Sequence, residues 1–156
     1  MAKYATNTPV SPEKTLVEIR TLLKRYGATK FAYMDDETSI TLAFEAQGRR
    51  IKFRVPLPEL AEFRRRRINQ HATRPATPAE TQADWAQAVS QRWRALLLVI
   101  KAKLESVESG IETFEQAFMA HLVLPSGATV SEWAAPQIEQ AYQTGQMPPL
   151  MITSGK

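Results

Sequence analysis

The feature that most constrains this chain is a change of hydrophobic period. Between residues 39 and 55, apolar side chains recur at every second position: Ile40, Leu42, Phe44 and Ala46, then Ile51, Phe53 and Val55 after Gln47-Gly48. Period two is the repeat of a pleated strand, so each run carries one apolar and one polar face. Gln-Gly between two such runs predicts a tight hairpin, with a glycine free to take the left-handed backbone that the turn needs. Upstream, residues 30–35 alternate Phe31 and Tyr33 against Ala32 and Met34, and Asp35-Asp36-Glu37 reads as a polar turn. The three runs predict an antiparallel meander over 30–35, 39–46 and 49–55, ended by Pro56 and Pro58. A sheet with one apolar face needs a second layer to cover it.

Two stretches of period 3.6 can supply that layer. Ser11-Pro12 is a helix start, serine as cap and proline at the first helical position. Leu16, Ile19, Leu23 and Tyr26 follow at three- and four-residue steps before Gly27, predicting a helix over 12–26. Residues 1–10 read as a flexible arm. The second stretch is longer: Trp85, Val89, Trp93, Leu96, Leu97, Ile100, Leu104, Val107, Ile111, Phe114 and Phe118 keep helical spacing, with Ser109-Gly110 as a kink or break. Asp84 is the expected cap of this helix. Residues 60–68 read as a short basic helix, and 69–83, rich in Thr, Pro, Ala and Gln, as an exposed mobile loop. After a turn at Pro125-Ser126-Gly127, residues 130–142 predict one or two short helices divided near Pro136 and closed by Gly145, then an extended tail. The resulting fold class is α+β: an arm (1–10), an α-β-β-β-α core (11–124) and a helical appendage with its tail (125–156).

Composition narrows the chemistry. The 156 residues contain no Cys, which excludes disulfides, thiol nucleophiles, iron–sulfur clusters and cysteine-based zinc sites. With only His71 and His121, a histidine-rich metal centre is excluded as well. No Gly-rich phosphate loop, nucleophile elbow or HExxH occurs. The carboxylates Glu105, Glu108, Glu112 and Glu115 are spaced along one side of a continuous helix, where they read as a solvated face. No cofactor and no catalytic residue is expected. The longest apolar run, residues 95–100, is too short to span a bilayer and the first ten residues lack an apolar core, so a cytoplasmic location is expected, with no membrane partner.

Charge is the remaining signal. The net charge is only +4, yet residues 49–74 hold nine cations against two anions, and residues 105–155 hold six Glu and no Lys or Arg. A concentrated basic stretch points to a polyanion. Within it, Arg50, Lys52 and Arg54 share the polar face of the third strand, spaced ~6.5–7 Å apart, which suits a phosphodiester backbone. Arg49 adjoins them, and Arg64, Arg65, Arg66 and Arg67 form an unbroken run. On the long helix Arg92 and Lys103 lie on one flank of the apolar stripe, whereas Lys101 is expected to pair with Glu105 one turn on. Phe31, Tyr33, Phe44, Phe53, Trp85 and Trp93 fall on apolar faces and are expected in the core; Trp133 and Tyr142 could serve self-association.

The order helix, three-strand meander, long helix resembles the core of the single-strand annealing proteins of phage and eukaryotic recombination. That family assembles into rings or filaments and holds single-stranded DNA by its backbone in a basic groove between sheet and helix. The resemblance implies that Arg50, Lys52, Arg54, Arg92 and Lys103 line such a groove. The stretches 20–28, 91–112 and 121–142 also resemble small uncharacterised proteins encoded by bacterial phages and prophages. The expected function is non-catalytic binding of nucleic acid, single-stranded DNA by preference, by a homo-oligomer in the bacterial host cell. The rival expectations are a phage protein-interaction module, such as an inhibitor of a host nucleic-acid enzyme or a regulatory adaptor, a metal-dependent nuclease using the Glu series, and a virion assembly component.

Overall fold

The computed structural model describes residues 10–146, so nearly all of the expected arm and the whole extended tail lie outside the described residues. Helix α1 (Pro12–Arg25) starts as the sequence predicts: Ser11 accepts from the Lys14 amide and Pro12 fills the first helical position. It ends at Tyr26, beyond which Gly27 takes φ 86°. Strands β1 (Lys30–Asp35), β2 (Ser39–Ala46) and β3 (Arg49–Pro56) then form one antiparallel sheet in the order β1-β2-β3. The hairpin between β2 and β3 turns on Gln47 (φ 50°) and Gly48 (φ 71°), the two positive φ values that match strand twist. At the β1–β2 turn Asp36 acts as a local clamp: its carboxylate accepts from the Thr38 and Ser39 amides and from both hydroxyls, at 2.7–3.1 Å. Those four donors hold its pKa down to about 2.

The region after β3 departs from expectation. Residues 60–68 do not form a basic helix; a 3-10 turn (Leu60–Phe63) is followed by β4 (Arg65–Arg67), which pairs with β5 (Thr73–Pro75). The segment expected to be a loop thus contains a small hairpin, and α2 (Pro78–Glu108) begins seven residues before Trp85. Its cap is Thr77, not Asp84: Thr77 accepts from the Glu80 amide while Glu80 accepts from the Thr77 amide, with Pro78 at the first position. Four arginines in a row oppose a helix by mutual repulsion, and pairing as a strand sends alternate guanidinium groups to opposite sides.

The long apolar stripe is broken, as the Ser109-Gly110 signal allowed: α2 ends at Ser109, Gly110 takes φ 71°, and α3 (Phe114–Phe118) restarts under a Thr113 capping box. A 3-10 turn (Met119–His121) leads to residues 122–124, which lie along β3: the Val123 amide donates to the Arg50 carbonyl at 2.8 Å and Ile51 bridges Leu122. Helix α4 (Val130–Thr144) is single and runs through Pro136. The amide that Pro136 lacks would have met the Glu132 carbonyl four residues back, on an exposed side where water can replace it. Gly145 (φ 69°) closes it.

The core lies between the apolar face of the sheet and the helices. Ile40, Leu42, Phe44, Ile51 and Phe53 meet Ile19 and Leu23 of α1 and Val89, Trp93, Leu96, Ile100 and Leu104 of α2. Phe118 of α3, 0 % exposed, stands edge-on against Phe44 (5.9 Å between ring centres) and Phe53 (6.4 Å). The expected core aromatics fall there, except that Tyr33 stays half exposed at the β1 edge with its ring edge-on to Trp93. No helix among the described residues is long and apolar enough to cross a membrane.

Candidate nucleic-acid interface

Because Ile51, Phe53 and Val55 turn inward, Arg50, Lys52 and Arg54 project together from the outer face of the sheet, opposite Glu45, Ala43 and Thr41 of β2. The register extends this face to β1, where Lys30 stands across from the same Glu45. Lys30 belongs to the cationic face and was not among the sequence candidates; the cross-strand register supplies it, and a meander read with its pairing would have found it. Glu45 is shared, 2.9 Å from the Lys30 ammonium and 3.6 Å from the Arg50 guanidinium. The Lys30 hydrogen bond, with both positive charges, holds the Glu45 carboxyl below its ordinary value. One carboxylate between two cations leaves a net positive surface, and both cations keep most of their side chains exposed (74% and 65%).

The three strand cations differ in availability. Arg54 is exposed and among the described residues meets only a hydroxyl, its Nε donating to Ser39 Oγ at 3.4 Å. Lys52 is enclosed: its ammonium donates to the Gly127 carbonyl at 3.1 Å and to Glu132 at 3.4 Å, leaving 27% of the side chain exposed. Glu132 also accepts from the Thr129 amide at 2.7 Å, the largest cause of its lowered pKa, ahead of Lys52. Lys52 therefore ties the first turn of α4 to the sheet, a structural post rather than an open contact. Arg49 is not on this face at all. One residue out of phase with Arg50, it reaches Glu115 of α3 at 3.5 Å.

The arginine run is divided in the same way. Arg66 turns toward α2 and donates to both oxygens of Asp84 (2.9 and 2.8 Å) and to Glu80 (3.1 Å). Glu80 also receives Arg74 at 2.8 and 2.6 Å. Hydrogen bonds from Arg74 and the Thr77 amide lower the Glu80 pKa, and Arg66 lowers that of Asp84. This network pins the β4–β5 hairpin to the start of α2 and removes Arg66 from any interface. Arg65 and Arg67 point the other way and stay exposed, held only by Thr73 and by the Asn69 and Gln70 carbonyls. Arg64 is exposed, with no carboxylate in ion-pair reach among the described residues.

The helix cations do not complete a groove with the sheet. Helix α2 packs on the inner face, whereas the strand cations leave the outer one. Lys103 is half-buried, donates to the Ala117 carbonyl at 2.6 Å and lies 5.8 Å from the Phe118 ring centre, so it closes the end of α3. Arg92 is exposed beside a cleft with Pro58, Glu62, Phe63 and Ala88. Eleven residues, ~16 Å of helix, separate the two. Lys101 does not pair with Glu105; it lines a hollow between α1 and α2 with Arg94 and Arg25. The Glu series is likewise dispersed: Glu108 accepts from the Tyr26 hydroxyl at 2.7 Å, Glu112 from Ser106 at 2.7 Å, and Glu115 meets Arg49. The break at Gly110 is what separates them. Among the described residues no group of three or more His, Asp or Glu is placed to hold a metal ion.

No protein-family model, curated protein or solved structure matches this chain.

Proposed function

We propose that the protein binds nucleic acid without catalysis, gripping the backbone of single-stranded DNA through the outer face of its sheet. One observation carries the reading: Lys30, Arg50 and Arg54 stand exposed on that face, and among the described residues Glu45 is the one carboxylate in ion-pair reach of any of the three. The Arg64, Arg65 and Arg67 side of the arginine run adds cations that have no carboxylate partner among the described residues. Phosphate contacts of this kind position a strand without reading its sequence. Phe44 and Phe53 are buried beneath the face, so no ring is offered there for base stacking and the bases stay outward. The element order shared with the annealing proteins favours a single strand, a homo-oligomer and a role in phage recombination inside the bacterial cell.

The test is a salt titration of oligonucleotide binding, single- and double-stranded in parallel. Arg50→Glu with Arg54→Glu should abolish binding at low salt while far-UV circular dichroism is unchanged. Unchanged affinity would refute the reading. A second reading, docking on a basic protein surface through α4, is favoured by its exposed Trp133, Ile138 and Tyr142. Pull-downs from host lysate that keep the same partners after nuclease treatment would select it.

A further inference from the structure

Helix α4 has no buried residue: Ile138 is 54% exposed, Tyr142 87% and Trp133 42%. Its first turn is tied to the body by polar contacts, the Val130 amide donating to the Leu122 carbonyl at 2.9 Å and Glu132 holding Lys52. The helix carries Glu132 and Glu139 and no Lys or Arg. An acidic helix that keeps its apolar side chains in water is built to lie against something apolar and basic.

The same chain offers such a surface. A hollow between α1 and α2 and a second along α1 share Glu18, Leu22 and Arg25 and form one groove. Leu22 and Leu98 supply apolar walls, Val17 stands at the rim 63% exposed, and Arg25, Arg94 and Lys101 line it. Arg94 is paired with Glu18 at 2.8 Å, whereas Arg25 and Lys101 have no carboxylate in ion-pair reach among the described residues. Ile138 and Tyr142, one turn apart, share a flank of α4 with Glu139, whereas Trp133, nine residues before Tyr142, lies on the opposite side of the helix.

We infer that α4 of one copy docks in the α1/α2 groove of the next, a head-to-tail contact between copies of this chain. The occupant follows from charge: with Glu132 held by Lys52 of its own copy, the rest of the helix carries Glu139 and no cation, while the groove offers Arg25 and Lys101 beside the Arg94–Glu18 pair. The two surfaces differ, so the contact is heterologous and repeats until a ring closes or a filament grows. The contact needs no nucleic acid.

The experiment is light-scattering mass measurement of the full chain, without nucleic acid, over a concentration series. Wild-type mass should rise past that of a dimer. Ile138→Glu with Tyr142→Glu spoils the helix; Val17→Glu with Lys101→Glu spoils the groove; each variant alone should remain a monomer. Mixed one to one, they should form a heterodimer and nothing larger, since one copy keeps an intact helix and the other an intact groove. That rescue also shows that both variants are folded. A wild-type chain monomeric at all concentrations, variants that assemble like wild type, or a mixture that stays monomeric would each overturn the inference.

Discussion

Replacing Arg50 and Arg54 together by Ala should change not only affinity but the way affinity responds to salt. In and around the sheet face and the β4–β5 hairpin, the exposed cations without a private carboxylate among the described residues are Lys30, Arg50 and Arg54 on the sheet and Arg64, Arg65 and Arg67 beyond it. If all six meet phosphates of a single strand, log K against log salt should slope by about −4, at ~0.7 per neutralised phosphate. Raising salt from 50 to 200 mM would then weaken binding ~300-fold. Without Arg50 and Arg54 the slope should fall to about −2.8, and the same salt step should cost only ~50-fold. Lys52→Ala is the discriminating control. Its ammonium is already neutralised by Glu132, so its removal should leave the slope nearly unchanged while loosening α4. Fluorescence anisotropy with a labelled oligonucleotide of mixed sequence measures all three proteins. A double variant with the wild-type slope, or a Lys52→Ala slope that falls by half as much as that of the double variant, would refute the division between open and clamped cations.

Phe118→Ala removes a fully buried ring wedged between Phe44 and Phe53, and should cost about 3–5 kcal/mol in urea unfolding; a loss under ~1 kcal/mol would mean that α3 is not a keystone of the core. Arg66→Met should free the β4–β5 hairpin from α2, seen as faster amide exchange over residues 65–75 with exchange in β2 unchanged. Stability should fall in acid. Asp36, Glu45, Glu80, Asp84 and Glu132 all have folded pKa values below their ordinary 3.8–4.5. Their contribution is complete above that range and is lost as pH falls toward the value of about 2 that Asp36 reaches. The urea midpoint should therefore drop between pH 5 and pH 2, and Asp36→Asn should flatten part of that drop.

Local geometry was legible in the sequence wherever one period and one punctuation mark sufficed. Alternation fixed which side chains of β2 and β3 share a face, Gln47-Gly48 fixed the turn, and Ser11-Pro12 fixed the start of α1. The start of α2 was misread: the Thr- and Pro-rich composition around Thr77-Pro78-Ala79-Glu80 reads as loop and puts the cap at Asp84, although those four residues form the capping box. Tertiary structure alone decided which cations are free. Lys52 is clamped by a glutamate 80 positions away and Arg66 by an aspartate 18 positions away, and Arg49 and Arg50, adjacent in sequence, end on opposite faces. Backbone periodicity is a property of neighbours, so it can be read along the chain. A charge's partner is set by whichever element folding brings within a few ångströms of it, and no local pattern carries that distance.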